Sequence, residues 1–302
     1  MMAETLGSGA RAIAQSGDNA LAEQIGSLVE AGRLDAAIAE ARSAVVQYPR
    51  SAALHQMLGA ALFKKGMNAE ARQAFRRATE LAPNVPQNHF NLALVELSEN
   101  QNAAAAKSLE TLLKLDPANA QARVLLGRAY HNQNRTIPAI EQFQKALSLS
   151  PNLPLAHYHL GFAYQSQGNF TAALQEYEQE IKGNPEFFES YVHAGDIQLG
   201  RGNLDGAEEL FRQGIRLRPG AVQAQYGLAR VLLARSELNE AVSALARVIE
   251  LKPDHVEAHY ALARTFQQLG KNDLAAREFK IVSELHARSA QRSSGIAGSS
   301  PQ

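Results

Sequence analysis

The sequence predicts an all-α fold, a solenoid of antiparallel helix pairs, and three regularities of the chain support that prediction. Prolines recur at an interval of 34 residues, at positions 49, 83, 117, 151, 185, 219 and 253. Alanine and large apolar residues recur with the same period, and glycine, asparagine or serine stands at a fixed place in each interval. A fixed period of this length is typical of repeat proteins, whose units stack on their neighbours.

The period defines eight repeats, each ending two residues after its proline except the last. They comprise residues 18–51, 52–85, 86–119, 120–153, 154–187, 188–221, 222–255 and 256–287. Positions within a repeat are numbered from 1 below, so that the recurring proline has position 32.

The first element of each repeat is a predicted helix with a small residue at position 8. That residue is Gly59, Gly127, Gly161 or Gly195 in four repeats and alanine in three more, mostly after a leucine at position 7. A small residue at a fixed place lets a second helix approach closely.

A turn follows, because position 15 is glycine, asparagine or serine in every repeat. Glycine and asparagine tolerate the left-handed conformation that ends a helix. We expect a polar side chain within the next three residues to cap the second helix. The candidate caps are Asp35, Asn68, Asn102, Thr136, Thr171, Asp205, Asn239 and Asp273.

The second helix carries alanine at position 20 in all eight repeats and usually a large apolar residue, such as Phe143 or Phe211, at position 24. The large side chain is predicted to fill the space beside the small residues. The recurring proline ends this helix. Pro86, Pro138 and Pro154 fall where a first helical turn is expected.

The two ends of the chain are poor in large apolar residues and rich in Gly, Ser and Ala. Residues 1–17 and 288–302 are therefore predicted to be flexible tails. The stretch from Ala10 to Gln15 is compatible with an extension of the first helix.

Together, these columns resemble the tetratricopeptide repeat: Leu–Gly at positions 7 and 8, Tyr or Phe at 11, Ala at 20, Phe at 24 and Pro at 32. The resemblance covers residues 18–287. It implies a right-handed superhelix whose first helices line a concave groove while the second helices face outward. It also implies a protein that binds partner proteins or peptides.

Positions 5, 9 and 12 share one face of the first helix, and the resemblance places that face in the groove. Exposed aromatic residues with polar neighbours mark binding surfaces, and arginine suits carboxylates. The alternative is that these side chains pack against neighbouring helices or pair with nearby acids. The candidate partner-binding residues are Phe63, Phe90, Leu94, Arg128, Tyr158, Phe162, Asp196, Tyr226, Arg230, Tyr260 and Arg264.

Two groove chemistries of the resembled family are not supported. Position 5 is never Lys and position 9 is never Asn, so the two-carboxylate clamp of chaperone-binding members is not expected. A ladder of groove asparagines, as in O-linked N-acetylglucosamine transferase, is also missing, since only Asn91 stands in that column.

The stretch PNLPLAHYHLGFAY, residues 151–164, contains His157, Tyr158 and His159 in succession. His157 is expected to pack between helices and Tyr158 to face the groove. His159 has His193 at the same position one repeat later, but zinc sites use at least three protein ligands. We therefore expect no metal and no cofactor.

Composition restricts the function further. Lys plus Arg and Asp plus Glu each number 30, and this zero net charge argues against binding to nucleic acid or anionic membranes. Without cysteine there are no disulfides and no thiolate sites. No signal peptide or membrane span is recognisable, so a cytoplasmic location is expected by default.

The leading hypothesis is a non-enzymatic scaffold or adaptor that binds a partner segment in the groove. The alternative is a self-assembling unit, or an accessory subunit of an envelope, secretion or pilus-type assembly. Self-association would use the C-terminal repeat, where Ala287 replaces the proline and Ile281 stands in a column that is otherwise polar. Ser283, in a mostly apolar column, fits a solvent-facing end instead. An enzyme is not expected, because no phosphate-binding glycine loop, nucleophile elbow or HExxH motif occurs.

Overall fold

The computed structural model describes the backbone of residues 3–297, with side chains described for residues 17–291. The chain divides into two compact units, an N-terminal unit that ends at Gln167 and a C-terminal unit that begins at Gly168. This boundary falls in the turn between the two helices of the fifth repeat. Within the described residues the regular structure of both units is helical, with no strand.

Successive helices pack against each other within each unit, which confirms the predicted all-α fold of helix pairs. The N-terminal unit contains α1 (Ala3–Glu30), α2 (Leu34–Gln47), α3 (Ala52–Lys64), α4 (Asn68–Leu81), α5 (Pro86–Ser98), α6 (Asn102–Leu115), α7 (Ala120–Asn132), α8 (Thr136–Leu149) and α9 (Ala156–Ser166). The C-terminal unit contains α10 (Phe170–Gly183), α11 (Phe188–Gly200), α12 (Leu204–Leu217), α13 (Val222–Ala234), α14 (Leu238–Leu251), α15 (Val256–Gln268) and α16 (Asn272–Ala297).

Most first helices begin at position 1 of their repeat, namely α3, α5, α7, α11, α13 and α15. Helix α9 begins two residues late because Leu155, with a left-handed φ of 63°, precedes it. The prediction that Pro154 lies in a first helical turn is therefore wrong. Pro86 is the first residue of α5 and Pro138 lies in the first turn of α8, as predicted.

The residues at position 15 form the predicted left-handed turns, with φ between 57° and 82° in all eight repeats. The reversed backbone lets a following N–H group reach back into the first helix. Arg33 N–H donates to Leu28 O at 2.9 Å, and Lys271 N–H donates to Phe266 O at 2.8 Å. This Schellman arrangement gives partners to carbonyl groups that a helix end would otherwise leave unpaired.

The predicted caps of the second helices are wrong. Asn68, Asn102 and Thr136 are the first residues of α4, α6 and α8, and the other predicted caps occupy the second helical position. After the left-handed residue only one residue precedes the helix, so the helix begins earlier than predicted. Side-chain caps come from Asn169 and Asn203, which accept the N–H groups of Ala172 and Gly206 at 3.2 Å.

The recurring proline occupies the second position of a four-residue turn that joins consecutive repeats. Ser51 N–H closes the first of these turns on Tyr48 O at 3.1 Å, and the turn recurs before each later repeat. Proline is favoured at that place because its fixed φ matches the turn.

The side chain at position 4 approaches the carbonyl oxygen of the proline six residues earlier, an interaction we call the linker hydrogen bond. A polar partner for this loop carbonyl satisfies a backbone acceptor. His157 therefore has a role that the packing prediction missed. The seven distances to the prolines are 3.2 Å from His55, 2.7 Å from His89, 2.6 Å from Arg123, 3.2 Å from His157, 2.9 Å from Tyr191, 3.3 Å from Gln225 and 3.0 Å from His259.

The core forms where small residues of one helix meet the large residue of the next. The position 20 alanines are buried in all eight repeats, and Phe143 and Phe211 are 1% and 0% exposed. A Cβ atom built on Gly127 would lie 2.5 Å from the Phe143 ring, and one on Gly195 would lie 2.8 Å from the Phe211 ring. Glycine fits these two places because a methyl group there would force the ring to shift.

The helices at the two ends extend beyond the predicted array. Helix α1 begins at Ala3, so the stretch from Ala10 to Gln15 is helical, and α16 continues to Ala297. The proposed flexibility of both tails stays a prediction, and residues 1–2 and 298–302 lie outside the described residues. Among the helices described, none combines the length and apolar character that a bilayer crossing requires.

Candidate functional site

The binding face is defined here by positions 5, 9 and 12 of the first helices. Its candidate residues differ in exposure. Those that are exposed are Arg128, Phe162, Arg230, Tyr260 and Arg264, and those that are partly buried are Phe63, Phe90, Leu94, Tyr158, Asp196 and Tyr226.

Three apolar candidates of the N-terminal unit contribute to its core. Phe63 packs against the cluster around Phe75, while Phe90 and Leu94 pack against the cluster around Phe143. This is the packing alternative that the sequence left open, and it holds for the buried part of each side chain.

A cleft of about 220 Å³ opens at the binding face of the N-terminal unit, between α7 and α9. Its lining combines aromatic, histidine and arginine side chains: Arg128, His131, Asn132, Phe143, Tyr158, His159 and Phe162. The structure thus brings three sequence-predicted candidates, one from repeat four and two from repeat five, into one site.

Aromatic rings form the apolar wall of this cleft. The Phe162 ring stacks near Tyr158 at a centroid distance of 6.3 Å, and His131 lies 5.2 Å from it at a tilted angle. Phe162 nevertheless keeps 38% of its surface exposed. A large ring held by its neighbours and still open to solvent is suited to bury a partner's side chain.

The electrostatics of the cleft depend on one arginine. Burial lowers the pKa of His131, and it lowers the pKa of His159 to about 3 with the nearby Arg128 charge as a further cause. Both imidazoles are therefore neutral near pH 7. Arg128 supplies the single positive charge of this lining.

A second cleft, of about 400 Å³, lies in the C-terminal unit at the equivalent positions of repeats six and seven. Its lining consists of Asp196, Val222, Gln223, Tyr226, Arg230, Lys252 and His255. Arg230 donates to Asp196 at 2.7 Å, so this arginine pairs with an acid of its own chain. An exposed pair of this kind is weak and open to competition.

Tyr226 forms the aromatic part of this second cleft. Its ring lies 4.8 Å from that of His255, and burial raises the pKa of its hydroxyl. His255 also caps α15, because its Nδ1 accepts the N–H of Ala258 at 3.3 Å.

The last candidates, Tyr260 and Arg264, lie on α15. The Tyr260 ring is 51% exposed and meets the edge of Phe279 at 5.9 Å. These two residues line neither of the clefts described above.

The histidines at position 6 cover aromatic rings of the preceding repeat. His159 stacks on Phe143 at 5.8 Å, and His193 stacks on Tyr177 at 5.3 Å. Burial also lowers the pKa of His193. The described residues contain no group of three or more potential metal ligands, and both imidazoles are engaged in stacking.

Sequence reasoning missed a buried carboxyl group in the core. Glu96 is 3% exposed and accepts a hydrogen bond from Ser108 Oγ at 2.9 Å, and burial raises its pKa. It stands at position 11, where Tyr130 and Tyr164 stand in the next two repeats. The sequence signal that could have revealed it is a single acid at position 11, where large residues stand in most other repeats. Glu96 lines neither cleft, so its shifted pKa does not indicate a catalytic site.

A family model for the tetratricopeptide repeat matches five stretches of the chain, of which the last three overlap: residues 23–86, 90–154, 158–222, 194–256 and 226–282. The chain belongs to the tetratricopeptide repeat family. Tetratricopeptide proteins are generally non-catalytic scaffolds for protein–protein interaction. No curated protein sequence matches this chain.

Solved structures share the tetratricopeptide fold at low sequence identity. The APC/C hetero-tetramer Cut9–Hcn1 is similar over 80% of this chain and 48% of that chain, with 18% identity and a TM-score of 0.63. PilF of Pseudomonas aeruginosa is similar over 70% and 96%, with 19% identity and a TM-score of 0.61. YrrB, described as a TPR protein with an unusual peptide-binding site, is similar over 60% and 93%, with 18% identity and a TM-score of 0.54. These likenesses show the fold alone.

Proposed function

We propose that this chain is a non-enzymatic scaffold that binds segments of a partner protein on its binding face. The observation that carries the proposal is that a cleft of the same construction occurs in each unit. In both, position 9 of one repeat meets positions 5 and 9 of the next: Arg128 with Tyr158 and Phe162, and Asp196 with Tyr226 and Arg230.

The composition of the clefts suits a protein segment. Tyrosine and arginine are enriched among the residues that contribute most to binding at protein interfaces, and phenylalanine is enriched in interfaces generally. Polar groups beside the rings, such as Asn132 and Lys252, can pair with the backbone of a bound segment.

Self-assembly is a second candidate, favoured by one observation on α16. Phe279 stands at the position of Phe143 and Phe211 but is only partly buried, and Leu274 is 38% exposed. A second copy of this chain, or a neighbouring subunit of a larger assembly, would cover such apolar surface.

Site-specific crosslinking in the source cell tests the proposal. A photo-crosslinking phenylalanine analogue replaces Phe162 or Tyr226 in the full chain, and replaces Ile137, which is 75% exposed outside the binding face, as the matched control. We expect one partner segment, mapped by mass spectrometry, to crosslink at 162 or 226 and not at 137. Crosslinks at 137 alone would contradict the proposed face. Crosslinks only between copies of this chain would favour self-assembly instead.

A further inference from the structure

The three arginines at position 9 differ in their own ion pairs. Arg230 is paired with Asp196, which stands at the same position one repeat earlier. No ion pair or side-chain hydrogen bond involves Arg128 among the described residues, although its side chain is exposed at the rim of a cleft. A guanidinium group presents a planar fork of donors that matches a carboxylate. Arg128 offers that fork without first displacing an acid.

The column around Arg128 explains why no internal acid reaches it. The residue at position 9 of the preceding repeat is Leu94, and that of the following repeat is Phe162. No aspartate or glutamate lines the cleft. Arg128 therefore has apolar neighbours in this column, whereas Arg230 has an acidic neighbour.

The remainder of the cleft is uncharged at neutral pH. Both histidines of the lining have lowered pKa values because they are buried. A carboxylate that enters thus meets one positive charge and no negative one.

The apolar wall is adjacent to that charge. Phe162 exposes 38% of its surface between Tyr158 and His131. The space of about 220 Å³ has room for one large side chain. When one side chain of a protein segment fills it, the adjacent residue of that segment lies near the Arg128 guanidinium group.

We infer that the cleft of the N-terminal unit binds a partner segment in which Asp or Glu stands next to a Phe, Tyr or Leu residue. The carboxylate pairs with Arg128, and the apolar side chain packs on Phe162. This inference rests on the proposed function and specifies the chemistry of the bound segment.

A library of random short peptides displayed on phage, selected against the full chain, tests the inference. Enriched peptides are synthesised, and their affinities are measured by fluorescence polarisation for wild type, Arg128→Gln and Phe162→Ala. Arg50→Gln is the matched control, because Arg50 is an exposed arginine of the first linker. Circular dichroism and melting verify that each variant is folded.

We expect enriched peptides to share an acidic residue beside an aromatic residue or leucine. Arg128→Gln should weaken them about tenfold through loss of a charge-assisted pair, Phe162→Ala should weaken them similarly, and Arg50→Gln should change nothing. Peptides without that motif that lose affinity with Phe162→Ala and not with Arg128→Gln would overturn the inference and leave the proposed function standing. Peptides indifferent to both substitutions, or no enrichment at all, would count against both.

Discussion

The hydroxyl of Tyr191 donates a hydrogen bond to the carbonyl oxygen of Pro185, 2.9 Å away and six residues earlier. The same linker hydrogen bond is made by imidazole, guanidinium and amide groups in other repeats. Four different chemical groups thus serve one purpose: each carries a donor on a side chain long enough to reach the turn.

Removal of that donor should destabilise the C-terminal unit. Tyr191→Phe deletes only the hydroxyl of a residue that is 8% exposed, which leaves the Pro185 carbonyl without this partner. We expect a loss of about 1 kcal/mol in the free energy of unfolding, measured by urea denaturation. Tyr260→Phe, on an exposed ring, is the control and should be neutral. If Tyr191→Phe melts like wild type, the linker hydrogen bond contributes nothing to stability.

A comparison of Phe143 and Phe162 tests which residues belong to the core and which to the binding face. Phe143→Ala should cost about 3–5 kcal/mol because it opens a cavity at a residue that is 1% exposed. Phe162→Ala should cost about 1 kcal/mol or less, because much of that ring already contacts solvent, and should instead reduce binding. Equal losses of stability in the two variants would refute the assignment of Phe162 to the binding face.

The contact between positions 8 and 24 should show coupling. Gly127→Ala places a methyl group 2.5 Å from the Phe143 ring and is expected to cost about 1–3 kcal/mol. The combination with Phe143→Leu should recover part of this loss, because Ala93 and Ala229 stand opposite Leu109 and Leu245 at the same positions. A double-mutant cycle in urea should give a favourable coupling of about 1 kcal/mol. Strictly additive losses would mean that the ring and the glycine are independent.

His159 should make stability depend on pH. Its folded pKa of about 3 lies below the unfolded value, so the unfolded chain binds the proton more readily between the two. The stabilisation is complete above about pH 6.5 and is lost as the pH falls, by about 1–2 kcal/mol between pH 7 and pH 5. His159→Phe should remove that part of the slope, measured as urea midpoints at both pH values. His286→Gln, on an exposed residue, should leave it unchanged, and an unaltered slope in His159→Phe would contradict the assignment.

The helix pairs could be predicted because the residue type at each turn favours a particular local backbone conformation. Each residue at position 15 has the left-handed φ that its type suggested, and even Ser236, at 61°, follows the column rather than its own preference. The 34-residue period alone predicted the first residues of α7 and α13. A single segment around Asn134 or Ser236 would not reveal a left-handed turn. The recurrence of Gly, Asn or Ser at the same position in every repeat does.

The caps and the linker hydrogen bonds were not predictable in the same way. The Schellman turn leaves only one residue before the second helix, so Asn68 and Thr136 lie inside that helix. Residue type alone does not show at which residue the helix begins. His, Arg, Tyr and Gln at position 4 look unrelated until their common donor capacity is compared with a carbonyl acceptor. The pair of Arg230 and Asp196 was visible as a spacing of 34 residues, but its distance required coordinates.

The linker hydrogen bond closes within six residues, and this has a consequence for how such chains change length. Donor and acceptor stand six residues apart across the joint between repeats, so a duplication or deletion of 34 residues keeps a donor in register with each proline carbonyl. No joint is left with an orphaned carbonyl, wherever the cut falls in the array. The number of repeats can therefore drift in whole steps while each joint remains chemically complete, and the residue at position 4 can be exchanged for any other donor of similar reach.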